Sequence, residues 1–249
     1  PTADDPQRFR KFILQPDPAS VKAAWPLQKK LPLLWTKWTQ GTAAVKKQLR
    51  AEFAPCFMTF TTGRSAEPVP FFYSPHDLKN LHTTGSRLVD IMGLLPDYRI
   101  ANVFPYAPHL AFWQVFFAGQ ETGMMVLSTG GGKVMGSSGD LRALTRLKAD
   151  ALIGVPGYVY HLLRRAAGEH LDLSSIKCVV LGAERVPPGM KQKIGQLLAA
   201  CGANDVRVFG TYGFTEARMA FAECPTRDNA YTGYHLYPDL AIFEVINPK

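Results

Sequence analysis

The chain reads as an α/β protein, and three observations predict this. Short apolar runs alternate with amphipathic helices, most of the runs are continuous, and turns rich in glycine and hydroxyl groups follow them. Continuous runs of this length suit strands covered on both faces, so the sheet is expected to be mostly parallel with helices on both sides. Ligands of such sheets gather at the carboxyl ends of the strands. Residues 1–55 read as a helical lead-in and residues 56–249 as the α/β core.

The lead-in holds helical stretches such as Thr42 to Phe53, with Thr42 as cap, separated by connections at Pro16, Pro18, Pro26 and Pro32. Strands are expected at 57–61, 100–104, 124–127, 152–155, 178–181, 206–209 and 242–246. Ser74-Pro75 sets a cap and a first-turn proline, after which Leu78, Leu81, Leu88, Met92 and Leu95 form one apolar stripe. Pro187-Pro188 opens a helix through Leu197 and Leu198, and Gly202 closes it. No internal repeat or low-complexity segment interrupts the pattern.

With 249 residues, 47% of them apolar and 19% charged, the chain can bury a substantial core and is too apolar for disorder. No apolar run reaches the roughly 18–20 residues of a membrane helix. The opening Pro1-Thr2-Ala3-Asp4-Asp5 has no signal-peptide character. Cys56, Cys178, Cys201 and Cys224 are scattered, as in a reducing compartment, so a cytoplasmic protein is expected. A formal charge of +8 suits nucleic acid, an acidic carrier protein or small anions, but the cations are spread out. That favours a solvated basic surface, and no recognition helix or stacking platform supports nucleic acid. A homodimer is compatible with these features.

Several stretches can carry chemistry. Thr61-Thr62-Gly63-Arg64 offers two hydroxyls, open backbone amides and a cation, the donors a triphosphate needs; alone it reads rather as a plain turn. Gly130-Gly131-Gly132-Lys133 fails as a P-loop because Val134 follows the lysine, and it reads as a flexible loop. Tyr212-Gly213-Phe214-Thr215-Glu216 places an aromatic ring, a hydroxyl and a carboxylate together, suited to a base, a phosphate and Mg²⁺. The competing reading is a strand-to-helix turn, with Thr215 capping a helix and Glu216 complementing its dipole. Tyr106, His109 and the aromatics after them suit a pocket wall or a buried helix face. Cys224 and His235 are two candidate zinc ligands, too few for a site.

In this order the stretches resemble the adenylate-forming superfamily, in its phenylacetate–CoA ligase-like branch. The resemblance runs from about Leu31 to the last residue. Besides the threonine-rich turn and the Tyr212–Glu216 stretch, it is carried by Asn102-Val103-Phe104-Pro105-Tyr106, Val155-Pro156-Gly157-Tyr158, Gly182-Ala183-Glu184, and the closing Gly233-Tyr234-His235-Leu236-Tyr237-Pro238-Asp239 with Phe243-Glu244-Val245-Ile246. It implies an enzyme that joins a carboxylic acid, here an aromatic one, to the α-phosphate of ATP, releases pyrophosphate, and passes the acyl group to coenzyme A or a carrier protein. Thr61, Thr62 and Gly63 would then cradle the outgoing phosphates, with Arg64 as an auxiliary cation. Tyr212 and Gly213 would lie along the adenine, opposite Gly182, Ala183 and Glu184. Thr215 would reach the α-phosphate, Glu216 would hold Mg²⁺, and Tyr106 and His109 would shape the acid pocket. Some relatives hold Zn²⁺ through a pair like Cys224 and His235 together with later cysteines.

Departures from the pattern accompany the resemblance. Phe60 stands where the family usually has glycine, which would cost roughly 1–3 kcal/mol if that backbone needed positive φ. Glu67 brings a carboxylate to the phosphate loop. The sequence stops before the family's ribose-binding aspartate and its mobile C-terminal domain, as expected of the N-terminal portion of a longer enzyme. A nucleotide- or acyl-binding module without catalysis is the alternative function.

Overall fold

The computed structural model describes residues 23–61, 68–225 and 233–247, and the chain divides into two compact units, Pro1–Lys79 and Asn80–Lys249. In the first unit, helix α1 (Leu27–Phe53) is two helical segments joined at Gly41, whose φ of 83° only glycine adopts freely. Contrary to the expected connection at Pro32, the helix runs through that residue. Pro32 is only the sixth helical residue, so little of the hydrogen-bond ladder precedes it, and the Thr36 hydroxyl donates to its carbonyl at 3.0 Å. Leu33, Leu49 and Phe53 bury against Trp25 and Val45. Strands β1 (Phe57–Phe60) and β2 (Pro70–Tyr73) then form an antiparallel hairpin, with Phe57 opposite Tyr73 and Phe60 opposite Pro70. The sequence reading missed β2 because prolines flank it; Pro70 fits as the first strand residue. Ser74 closes a capping box ahead of helix α2 (Pro75–Met92): its hydroxyl accepts from the Asp77 amide, and the Asp77 carboxylate accepts from the Ser74 amide.

The second unit is built on a sheet of β3 (Arg99–Asn102), β4 (Met125–Ser128), β5 (Ala151–Gly154), β6 (Cys178–Leu181), β7 (Arg207–Phe214) and β8 (Met219–Ala222) in the order β4-β3-β5-β6-β7-β8. The first five are parallel, and β8 runs antiparallel to β7. Alternate residues supply the two faces. Leu152, Val179 and Val208 join a cluster with α4 (Gly136–Leu147), α5 (Pro156–Gly168) and α6 (Pro188–Ala200). Ile153, Val180 and Phe209 point the other way, toward Leu88 and Met92 of α2 and Phe112 of α3 (Leu110–Thr122). Both faces being covered accounts for the unbroken apolar runs.

Two strand expectations change. Residues 242–246 form no strand: among the described residues no ladder pairs them, and Ile242, Val245 and Ile246 are exposed. β7 runs five residues further than expected because β8, which the sequence reading missed, pairs with its extension. No described helix is long and apolar enough to cross a membrane. The four cysteines form no disulfide, and burial pushes the Cys178 thiol up to about 12.

A charged cluster fastens the amino-terminal edge of the sheet. Burial works to raise the Asp150 carboxyl, but hydrogen bonds from Arg99 and Lys177 outweigh it and hold the group down to about 2. A carboxyl depressed below its unfolded value adds stability above about pH 4, lost as the pH falls toward 2. Both cations reach solvent, which screens the pair, so Asp150→Asn is expected to cost about 1–2 kcal/mol at pH 7 and almost nothing near pH 2. Thermal melts of both proteins across that range check this.

Candidate functional site

The carboxyl ends of the parallel strands converge in the second unit. Buried Asn102 fixes the first of these turns, its Oδ1 accepting from the Phe104 amide at 3.1 Å and its Nδ2 donating to Ser128 Oγ at 3.2 Å. Tyr106 donates its hydroxyl to the Ser128 carbonyl at 2.7 Å, leaving its ring half exposed and edge-on to Phe112. His109 is the N-cap residue of α3. Beside Tyr106 runs the ribbon Gly130–Gly132, with φ of 84°, 65° and 78°. The expected loop is therefore a packed one, with the Tyr106 ring against Gly130 and the Tyr158 hydroxyl against Gly132. Burial, then the hydrogen bond to Asp140, pushes the Tyr158 phenol up to about 12.

Gly182-Ala183-Glu184 leaves the end of β6. A methyl on Gly182 would lie 2.5 Å from Thr211 Oγ1, so glycine is what allows Thr211 to donate to the Leu181 carbonyl at 3.0 Å. Ala183 sits at φ 67°, a left-handed conformation that costs a non-glycine residue about 1–2 kcal/mol. Such strain collects at functional turns. Ala183 and Glu184 are both exposed.

On the neighbouring strand, past the pairing of Leu181 with Gly210, the extension of β7 carries Tyr212 out into solvent, its ring 5.7 Å from that of Tyr234. Gly213 gives β8 room, since a methyl there would meet Ala220 Cβ at 3.0 Å. The strand ends in a single 3-10 turn, Thr215–Ala217, closed by Arg218 at φ 56°. The reading of Thr215 as a helix cap therefore fails: no α-helix follows, and no side-chain cap bond forms. Among the described residues, neither the Thr215 hydroxyl nor the exposed Glu216 carboxylate has a hydrogen-bond or ionic partner.

Tyr106, His109, Gly182 to Glu184 and Tyr212 to Glu216 thus all lie in strand-end segments of this one unit. Thr61 belongs to the first unit, just past β1. Its amide donates to the Val69 carbonyl at 3.0 Å, and its hydroxyl accepts from the Val69 amide at 2.9 Å. Thr62, Gly63, Arg64 and Glu67 lie outside the described residues. Phe60 is a paired strand residue without positive φ, so the strain considered for it does not arise. Cys224 and His235 flank the Glu223–Tyr234 bridge without facing each other: the Cys224 amide donates to the Gly233 carbonyl at 3.1 Å and the His235 amide to the Ala222 carbonyl at 2.8 Å. The described residues hold no group of three or more His, Cys, Asp or Glu able to take a metal, so the Zn²⁺ expectation has no support among them.

Sequence reasoning missed one buried pair. Lys191 Nζ lies 2.7 Å from Glu223 Oε2, with side chains 3% and 2% exposed. The signal was present: Lys191 stands on the same helical stripe as Ile194 and Leu198, where a charge needs a buried partner.

A family model described as AMP-binding enzyme matches residues 10–237. Comparison with curated proteins gave no match. Among solved structures, the chain is similar to an open conformation of 2-hydroxyisobutyryl-CoA ligase in complex with 2-HIB-AMP and CoA, at 19% identity and a TM-score of 0.60, over 81% of this chain and 46% of that one. It is similar to a long-chain-fatty-acid–CoA ligase from Archaeoglobus fulgidus at 21% identity and a TM-score of 0.54, over 68% and 32%. An o-succinylbenzoate CoA synthetase from Bacillus subtilis aligns at 18% identity and a TM-score of 0.52, over 68% and 31%. The chain spans less than half the length of each of these three, and the likeness is one of fold.

Proposed function

The chain belongs to the AMP-binding enzyme family, and from that premise we propose that it activates a carboxylic acid with ATP and delivers the acyl group to the thiol of coenzyme A. In the first step a carboxylate oxygen attacks the α-phosphorus and the bond to pyrophosphate breaks. In the second the thiolate attacks the acyl carbon and AMP leaves. The observation that carries this reading is the end of β7 and the turn after it, where an exposed tyrosine precedes a hydroxyl and a carboxylate that have no partner among the described residues, at the ligand end of the sheet.

In this reading Tyr212 and Gly213 face the adenine, with Gly182, Ala183 and Glu184 opposite. Thr215 donates to the α-phosphate. The exposed carboxylate of Glu216 fits Mg²⁺, which accepts one or two carboxylates besides phosphate oxygens and would offset their charge. Thr61, Thr62, Gly63 and Arg64 meet the outgoing phosphates. Tyr106 and His109 line the acid pocket, and the surrounding aromatic side chains suit an aromatic acid of the phenylacetate type. Residues 56–249 would form the AMP-binding core, with 1–55 as its lead-in, in a cytoplasmic protein. One of the similar structures holds an acyl-AMP together with CoA, in keeping with this chemistry.

The test is exchange of labelled pyrophosphate into ATP by the full-length gene product, with phenylacetate and benzoate as probe acids. Acid-dependent exchange is the expected result. AMP binding without exchange for any carboxylic acid would select the non-catalytic module. Absence of both would overturn the reading.

A further inference from the structure

We propose that Glu223 and Lys191 are positioning residues that hold the Gly210–Tyr212 segment in register for the nucleotide. Glu223 grips both peptide groups of Gly210: its amide donates to the Gly210 carbonyl at 3.0 Å, and its Oε2 accepts from the Gly210 amide at 2.6 Å. The same oxygen takes Lys191 Nζ at 2.7 Å, which ties the strand to α6. A methyl on Gly210 would sit 3.1 Å from that oxygen, so glycine is what admits the carboxylate. The next residue, Thr211, bonds the carbonyl beside Gly182, and the one after is Tyr212. Glu223 also bridges to Tyr234, whose ring backs Tyr212.

Stability alone explains the pair poorly. Withdrawing two ions from water is costly, and apolar side chains of similar volume usually serve a core as well or better. Glu223 Oε1 moreover accepts no hydrogen bond among the described residues while buried, a defect an apolar pair would avoid. What an apolar pair cannot supply is the acceptor for Gly210 at the base of the Tyr212 wall. Lys191 orients that acceptor and balances its charge.

The link to nucleotide rests on the adenylate-forming reading, so two readouts separate the claims. Hydrogen exchange of residues 206–213 tests the positioning without ligand, and calorimetry with AMP tests its consequence, both in the full-length protein. Glu223→Ala should raise exchange at 210–212 and weaken AMP by roughly tenfold or more, with β5 and β6 unchanged. Glu223→Gln, which keeps an oxygen for the Gly210 amide, should recover most of both. The double variant Lys191→Met/Glu223→Leu removes the charge problem; it should fold yet stay loose at 210–212. Wild-type exchange and AMP affinity in that double variant would overturn the proposal, as would uniform loosening of every strand in Glu223→Ala. A wild-type protein that binds no AMP would sink the adenylate reading, while the exchange comparison still decides the role of the pair.

Discussion

Glu216→Ala is expected to lower ATP–pyrophosphate exchange by roughly 10²–10³, the usual loss when one preorganised electrostatic group is removed from a charged transition state. The expectation rests on what the carboxylate does not do in the fold. It is exposed, makes no ion pair among the described residues, and follows a strand, where no helix dipole needs it. Its removal should therefore leave the melting temperature almost unchanged, as exposed substitutions usually do. Glu216→Gln keeps the size and loses the charge, so it should be nearly as inactive. Added Mg²⁺ should restore part of the rate in the variants if metal affinity is what they lost. Unchanged exchange in both variants would remove Glu216 from the reaction.

The middle of the fold was legible because its signals are local. Cys178–Leu181 is buried on both faces and appears in the sequence as an unbroken apolar run with the same bounds. Ser74-Pro75 marked a helix start that the capping box confirms. What stayed hidden depends on partners remote in sequence. β2 hides behind Pro68 and Pro70 and exists because β1 pairs with it. β8 and the last residues of β7 define each other. Residues 242–246 have the composition of a strand, yet no described strand pairs with them.

The candidate site shows the same division. Tyr212, Thr215 and Glu216 stood out as an unusual set of side chains, but only the backbone shows that a 3-10 turn replaces the helix Thr215 was expected to cap. Ala183 looks ordinary until its φ of 67° is known. Lys191 and Glu223 are 32 residues apart, and nothing local announces that the two meet.

Gly131→Ala is the substitution expected to damage the fold most for its size. Two costs add there. Alanine at φ 65° carries about 1–2 kcal/mol of left-handed strain. Its methyl would also lie 2.9 Å from both the Pro105 nitrogen and the Val103 carbonyl oxygen. Those are backbone atoms that cannot swing aside, and overpacking of this kind typically costs about 1–3 kcal/mol. Gly136 separates the two terms: its φ is 66°, but nothing stands within 4 Å of the methyl position. Gly136→Ala should therefore lose only the strain, and the difference between the two variants measures the clash. For a domain of this size each kcal/mol moves the melting temperature by roughly 2–4 °C, so a drop of about 4–20 °C is expected for Gly131→Ala. Displacing Pro105 also shifts Tyr106, which donates to the carbonyl at the end of β4. Exchange assays on surviving protein should therefore show a raised KM for the acid with the KM for ATP nearly unchanged. A variant that melts like Gly136→Ala would mean that the ribbon yields, and that glycine at 131 serves its φ alone.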